Sequence, residues 1–220
     1  MSKKFSRNMI GYGSNGLKIS WPNNSRIAVQ IVLNYEEGAE NCVLNGDKHS
    51  EVFLSEIIGA QPIKGRHINM ESLYEYGSRS GFWRLHKLFQ EKKIPITVFG
   101  VGMALEKNPE ICKAIIEADY EVASHGWRWL DYQNIKRSEE KKHMKRAIQT
   151  HKKIFGKRPL GWYTGRCSPN TRDLVFEDGG FLYDSDSYSD DLPYWEMQNK
   201  KKQLIIPYTL DNNDMRFVAN

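Results

Sequence analysis

Short apolar runs alternate with helical patterns along most of the 220-residue chain, and this alternation limits the folds open to it. The runs are rich in β-branched and aromatic residues, and several segments between them repeat apolar residues at helical spacing. Strands that alternate with helices predict an α/β fold with a parallel sheet and helical crossovers. The predicted strands are residues 26–33, 95–101, 120–124, 161–164, 181–183 and 204–210.

Capping residues mark the predicted helix starts. Asn108 precedes Pro109 and Glu110, which is a typical first helical turn. Ser80 is predicted as the N-cap of an earlier helix, and Ser138 opens the most regular one. Either a barrel or a doubly wound sheet would fit. No Gly-x-Gly-x-x-Gly follows the first strand, which disfavours the dinucleotide-binding form.

Charged or titratable side chains stand just after five of the predicted strands. Because the carboxyl ends of parallel strands share one edge of an α/β fold, where active sites form, we expect these groups to converge. Carboxylates, an imidazole and a guanidinium suit the activation of water and the stabilisation of a developing oxyanion. The residues are Glu36, Glu37, His125, Arg166, Asp184, Asp186, Asp211 and Asp214.

Each of these residues also has a purely structural interpretation. Glu36 and Glu37 could be solvated loop acids, and His125 could cap a strand end. Arg166 could form a structural bridge with Asp184. Their joint position at successive strand ends favours a functional site.

Composition excludes several classes of protein. The net charge of +5 comes from dispersed lysines, which argues against a nucleic-acid-binding face. Three widely spaced cysteines argue against a disulfide framework and against a cysteine-rich zinc site. No apolar run reaches the roughly 18 residues of a membrane span, and no secretory signal is recognised, so a cytoplasmic protein without a membrane partner is expected.

Four motifs resemble those of the polysaccharide-deacetylase (NodB-homology) superfamily. Residues 34–38 (NYEEG) resemble its first motif, in which a carboxylate pair ends strand one. Residues 124–129 (SHGWRW) resemble the second, normally His-x-x-x-His, and residues 165–169 (GRCSP) resemble the third, an Arg-x-x-Pro turn. Residues 183–195 resemble the fourth. The resemblance implies an incomplete (β/α) barrel over residues 26–220, preceded by an N-terminal arm of residues 1–25.

Within the superfamily, the chain is most similar to the allantoinase branch of urate breakdown. This narrower resemblance implies hydrolysis of a cyclic amide C–N bond, with a ureide (allantoin) as the small-molecule substrate, and a role in purine catabolism. The similar stretches are spread over most of the length of the chain, and they are residues 26–41, 54–61, 69–84, 160–172, 181–195 and 206–217.

Carried over by position, the resemblance places Glu36 and Glu37 where the superfamily has its catalytic base and a metal-binding acid, in either order. It matches His125 to the first metal-ligand histidine and Arg166 to the arginine that orients a carboxylate. For a site without a metal, we expect one of the two glutamates as base toward water, His125 as acid or oxyanion donor, and Arg166 or Arg79 on the substrate oxygens. The substrate-binding candidates are Arg79, Trp129, Asp186 and Trp195. Arg79 is a candidate because residues 76–79 are predicted to lead into a helix N-terminus, which favours anionic groups.

The chain departs from the superfamily's metal-dependent pattern at Trp129. This residue stands four positions after His125, where the second motif has a histidine, and an indole nitrogen cannot bind a metal ion. Catalytic zinc sites usually have three protein ligands. No cofactor is therefore expected, with a divalent metal such as zinc on His125 and Glu37 as the alternative.

No histidine follows His151, although superfamily members usually have a late one and further barrel elements. A shortened barrel predicts a homo-oligomer or a complementing chain as partner. Two alternatives to the allantoinase-type function stay open. One is a metal-dependent carbohydrate N-deacetylase, and the other is an inactive, partner-binding relic.

Overall fold

The computed structural model describes residues 7–218, and it divides the chain into two compact units, residues 1–31 and 32–220. The described part of the first unit contains two short 3₁₀ turns, Gly13–Asn15 and Pro22–Asn24. All helices and strands named below belong to the second unit.

The second unit is built on a sheet of seven strands within the described residues. The order across the sheet is β1-β2-β3-β4-β5-β7-β6, and all neighbours are parallel except the antiparallel pair β6 and β7. The α/β fold with a mostly parallel sheet is thereby confirmed. The described strands leave the sheet open, with β1 and β6 as its edges. The strands are β1 Val32–Tyr35, β2 Thr97–Gly100, β3 Glu121–Ser124, β4 Gly161–Trp162, β5 Tyr183–Asp184, β6 Tyr194–Gln198 and β7 Lys201–Ile205.

The helices lie between the strands, as the alternation predicts. Asn108 caps α4 by accepting a hydrogen bond from the Ile111 amide at 3.1 Å, and Gly156 ends α5 in a left-handed conformation. None of the described helices is long and apolar enough to cross a membrane. The helices are α1 Ile68–Tyr76, α2 Phe82–Lys92, α3 Gly102–Lys107, α4 Pro109–Glu117, α5 Arg137–Phe155, α6 Thr171–Asp178 and α7 Met215–Val218.

The first strand was predicted over residues 26–33, and the prediction of where it begins is wrong. Strand β1 pairs only with the four residues of β2, from Val32 opposite Thr97 to Tyr35 opposite Gly100. An apolar run forms a strand only where a neighbouring strand pairs with it. Strand β2 pairs with no residue before Val32, so β1 begins there. Upstream of it, the side chains of residues 27 and 29 are 70% and 75% exposed.

Ser80 is not an N-cap. Helix α1 begins at Ile68 and continues through a π-helical turn, Gly77–Gly81, directly into α2. Ser80 lies inside this turn, so the segment that includes Arg79 is not a helix N-terminus. Single π-helical turns inside α-helices are rare and often occur at functional sites.

The last strands also differ from the prediction of one strand over residues 204–210. Strand β7 begins earlier, at Lys201, and pairs with β6 through a two-residue turn. Asn199 and Lys200 both have positive φ in this turn, the backbone that tight hairpins need. The sequence does not show this hairpin because β6 (YWEMQ) alternates half-buried and exposed residues without a continuous apolar run.

The core packs on both faces of the sheet and fixes where the strands end. Helices α5 and α6 cover one face with Met144, Ile148 and Leu174, which pack against Trp162. Phe99 and its neighbours on β3, β4 and β5 fill the other face. The residues that follow β1, β3 and β4 are therefore held at one edge of a rigid sheet.

Candidate functional site

A cavity of about 590 Å³ lies where strands β1, β3 and β4 end. Five residues expected at the site from sequence share its wall: Glu36, Glu37, His125, Trp129 and Arg166. Apolar and aromatic side chains supply much of the rest, as in most small-molecule sites. The other lining residues are Asn34, Phe53, Leu54, Leu73, Tyr74, Tyr163, Gly165, Leu210, Asn213, Asp214 and Met215.

Glu36 and His125 form a direct pair between the ends of β1 and β3. The Oε1 atom of Glu36 lies 3.0 Å from Nε2 of His125, whose side chain is only 2% exposed. The ring of Tyr163 packs against the imidazole at 4.8 Å. A carboxylate on Nε2 fixes the orientation of the ring.

Glu37 lies beside this pair and also lines the cavity. Burial, with a smaller contribution from the nearby Glu36 charge, raises the pKa of its carboxyl from 4.5 to about 7. The backbone amide of Glu36 donates to Oε2 of Glu37 at 2.8 Å, which opposes part of this shift. The pKa near 7 suits a group that exchanges a proton at neutral pH.

Arg166 presents a guanidinium to the cavity from the end of β4. The guanidinium carbon lies 3.7 Å from the centroid of the Trp129 ring and 5.1 Å from that of Phe53. One guanidinium nitrogen lies 3.4 Å from Oε2 of Glu51. Two aromatic rings and one carboxylate thus hold the fork in place for a planar polar ligand.

Three buried polar atoms on the cavity wall have no hydrogen-bond partner among the described residues. They are Nδ1 of His125, the Tyr74 hydroxyl and Oδ1 of Asn34. Buried polar atoms of native proteins are nearly always satisfied, so such atoms in a cavity mark positions for a ligand or water. The set offers both donors and an acceptor.

Two stacked tyrosines form the opposite part of the wall. The rings of Tyr163 and Tyr208 lie parallel, 4.6 Å apart. The Tyr208 hydroxyl accepts hydrogen bonds from Asn34 at 3.3 Å and from Asn213 at 2.8 Å. This side of the cavity is therefore built by residues of β1, β4 and the segment after β7.

The remaining three expected residues lie away from the cavity lining. Arg79 is exposed on the π-helical turn and lies 3.6 Å from Glu75 one turn earlier. Trp195 is 58% exposed on β6, where the Lys202 ammonium covers its ring at 4.6 Å. Asp186 accepts hydrogen bonds from the amides of residues 164 and 165, both at 2.8 Å, and so shapes the loop that carries Arg166.

A second charged cluster lies at the end of β5, sealed from the cavity. Asp184 is fully buried, and its Oδ2 lies 3.6 Å from Nε of Arg172. The same guanidinium also pairs with Glu196 and donates to the Asp186 carbonyl. The partner of Asp184 is therefore Arg172, so the interpretation of an Arg166–Asp184 bridge is wrong. Burial, together with the Asp186 charge, raises the pKa of Asp184 to about 7.

Sequence reasoning missed most of the aromatic wall. Tyr163 directly follows β4 and could have been found by the strand-end rule that found Arg166. Phe53 and Glu51 lie in an irregular segment, and Tyr74 lies on helix α1, where no sequence signal points to a cavity.

The donor set does not fit a three-ligand metal centre. Within residues 7–218, no three His, Cys, Asp or Glu side chains come close enough together to bind one ion. His125 and Glu36 are bonded to each other, and Trp129 packs against Tyr74 and Arg166 where a second histidine would stand. We therefore derive no catalytic step through a metal ion.

Comparison with known proteins places this site in a family. The polysaccharide deacetylase family profile matches residues 69–175. A Schizosaccharomyces pombe protein named "Putative polysaccharide deacetylase" is 44% identical over 218 residues, which cover 90% of this chain and 68% of that protein.

Two solved structures are similar over almost the whole chain. A crystal structure of PuuE allantoinase is 56% identical, with a TM-score of 0.92, and the match covers 97% of this chain and 72% of that one. A probable polysaccharide deacetylase from Pseudomonas aeruginosa is 57% identical, with the same TM-score and coverage. The sheet, the strand-end residues and these relatives lead to one conclusion: the chain belongs to the polysaccharide deacetylase family.

Proposed function

We propose that this chain hydrolyses the C–N bond of a cyclic amide, with allantoin as substrate and allantoate as product. The observation that carries the proposal is the convergence of Glu36, Glu37, His125 and Arg166 on one cavity. The similarity to the PuuE allantoinase structure supports the choice of substrate.

Glu37 is the general base of the proposed mechanism. Its pKa of about 7 keeps it basic enough to accept a proton from water while a useful fraction is ionised at neutral pH. The water oxygen then bonds to the ring carbonyl carbon, and the carbonyl oxygen becomes an oxyanion. General bases of this kind contribute roughly 10²- to 10⁴-fold to rate.

His125 serves as the donor on the other side of the reaction. Glu36 holds its Nε2, which leaves Nδ1 as the nitrogen without a hydrogen-bond partner among the described residues. With the ring protonated, Nδ1 donates to the oxyanion and then passes its proton to the departing ring nitrogen. The C–N bond breaks, and water's second proton remains on the new carboxyl group. Glu37 releases the first proton to solvent, and His125 takes one back from solvent, which restores the starting state.

Arg166 and its aromatic neighbours orient the substrate. The planar guanidinium of Arg166 matches the carbonyl oxygens of a ureido group. The rings of Trp129 and Phe53 hold it against the cavity wall. The unpartnered Tyr74 hydroxyl and Asn34 oxygen offer one donor and one acceptor to the amide edges of such a ligand.

A second function, N-deacetylation of a carbohydrate, is favoured by the names of the S. pombe and P. aeruginosa relatives. Its usual form needs a metal ion, for which the donor set here is incomplete. The two functions therefore differ in both substrate and metal requirement.

The experiment is allantoin turnover by the purified chain, with and without a strong chelator, beside an N-acetylglucosamine oligomer with added zinc. We expect ring opening of allantoin that the chelator leaves unchanged. Glu37→Ala should abolish it, and Glu139→Gln, a change of an exposed carboxylate on α5, is the matched control. Zinc-dependent release of acetate without allantoin turnover would support the second function instead, and a folded chain inactive on both would favour a noncatalytic role.

A further inference from the structure

The π-helical turn Gly77–Gly81 contacts the segment at the end of β1, including the proposed base Glu37. Its Ser78 hydroxyl lies 3.0 Å from the Tyr35 hydroxyl, at the end of β1. Its first residue, Gly77, packs against the side chain of Glu37. The turn is therefore in direct contact with the segment that carries the carboxylate pair.

Space, rather than backbone conformation, explains a glycine at position 77. Its φ of −55° and ψ of −50° are helical values that any residue adopts. Glycine inside a helix makes the helix less stable than alanine does, so a backbone argument would favour alanine here. A Cβ at this position, however, would lie only 2.7 Å from both Cγ and Cδ of Glu37, and closer still to Oε1.

Gly81, at the other end of the same turn, gives a direct contrast. It is also helical, with φ of −59° and ψ of −54°. A Cβ there would meet its nearest atoms, both of Tyr76, at 3.8 Å, which is ordinary contact. The close fit at Gly77 thus belongs to Glu37 and is not a general property of the turn.

We propose that Gly77 is a positioning residue, and that its missing side chain forms the niche that holds the Glu37 carboxyl beside Glu36. The inference rests on the proposed function for the claim that Glu37 serves as base. The niche itself does not depend on that claim, because it is a matter of contact and burial.

The test is a set of four variants: Gly77→Ala, Gly81→Ala, Glu37→Ala and the double variant Gly77→Ala with Glu37→Ala. An alanine at 77 displaces the flexible Glu37 side chain toward water, so we expect kcat on allantoin to fall by about 10²-fold. Gly81→Ala should change kcat less than about twofold, because its Cβ meets only ordinary contacts. In the Glu37→Ala background, Gly77→Ala should cause no further loss of activity or of melting temperature.

A readout independent of turnover separates this inference from the proposed function. In the parent, the Glu37 pKa of about 7 makes unfolding free energy fall as pH rises from about 4.5 to 7. Gly77→Ala should flatten that slope, because the displaced carboxyl returns toward its ordinary pKa. If the parent fails to open allantoin but the slope still flattens, the proposed function fails and the niche stands.

Two results would overturn the inference. One is a Gly77→Ala protein with the parent's pH slope. The other is a loss of melting temperature from Gly77→Ala that is as large without Glu37 as with it, which would make Gly77 a requirement of the fold alone. If Gly77→Ala does not fold, recovery of folding in the double variant supports the niche and continued failure refutes it.

Discussion

Two groups of charged residues lie at strand ends of this sheet, and they differ in what surrounds them. Glu36, Glu37 and His125 face a cavity of about 590 Å³. Asp184 is fully buried beside Arg172, which also binds Glu196. Both groups contain a carboxyl whose pKa is raised to about 7, chiefly by burial.

The comparison shows that a strand-end position and a shifted pKa do not by themselves identify a catalytic group. The Asp184 group is closed by a guanidinium and holds the β5 end to α6 and β6. The Glu37 group shares its cavity lining with His125 and Tyr74, which carry unpartnered polar atoms. Oδ2 of Asp184 also has no hydrogen-bond partner among the described residues, but Asp184 does not line the cavity. Access to a cavity, where an unsatisfied group can meet a ligand, is what separates a site from a structural charge cluster.

The largest expected effect of the difference is on turnover. Glu37→Gln removes the proposed base and should lower kcat on allantoin by about 10²- to 10⁴-fold. Asp184→Asn removes a charge with a similar pKa but no access to the cavity, and kcat should stay within about threefold. The measurement is kcat for both folded variants at pH 7.5. An Asp184→Asn protein as inactive as Glu37→Gln would break the distinction between the two groups.

Stability should respond in the opposite order. Arg172→Met leaves Asp184 buried without its cation, and removing one partner of a buried pair costs about 3–5 kcal/mol. Arg166→Met should cost about 1 kcal/mol, because Glu51 keeps hydrogen bonds from the amides of residues 52 and 53. Urea unfolding of both variants measures the difference. Equal losses would mean that the cavity arginine is as structural as the buried one.

Effects of intermediate size are expected in the pH dependence of activity and of stability. The base must be ionised, so kcat/KM should fall as pH drops through about 7, tenfold for each pH unit below it. Because the folded pKa of Glu37 is raised, its contribution to stability is present below about 4.5 and is lost as pH rises through 7. Glu37→Gln should therefore remove the acid limb of activity and be more stable than the parent at pH 8, by roughly 1–3 kcal/mol.

Melting curves and rates between pH 5 and 8 check both statements. Asp184→Asn serves as the control, since it should keep the acid limb of activity. If kcat/KM of the Glu37→Gln variant still falls as pH drops through about 7, a group other than Glu37 is responsible for the titration.

The sequence predicted the sheet and the polar ends of its strands well, because both follow from local patterns. Glu36, His125 and Arg166 meet at the cavity since each lies within a few residues of the end of a parallel strand. The predicted start of β1 was wrong because apolar residues alone do not show where a partner strand ends. Asp186 has the same strand-end signal as Arg166, yet its carboxylate binds backbone amides instead of facing the cavity.

What the sequence could not give depends on tertiary contact. Helix α1 and the irregular segment near Phe53 bring side chains to the cavity from distant parts of the chain, with no strand-end position to mark them. The glycine at position 77 looks like any other until its distance to Glu37 is known. Trp195 shows the converse, a conspicuous aromatic residue in a motif that the fold leaves on the surface.

The smallest expected effect concerns the Tyr74 hydroxyl, which is buried at the cavity and has no partner among the described residues. Tyr74→Phe removes only that oxygen, so a ligand that accepts its hydrogen bond should bind about tenfold more weakly, seen as a higher KM at nearly unchanged kcat. The protein itself should be equally stable or slightly more so, because an unsatisfied buried group is lost. Tyr183→Phe is the matched control, since its hydroxyl bonds Glu121 away from the cavity and its loss should lower stability without raising KM. A Tyr74→Phe protein with the parent's KM would mean that an unpartnered atom on this wall faces water rather than substrate, and would weaken the criterion that separates the cavity from the Asp184 cluster.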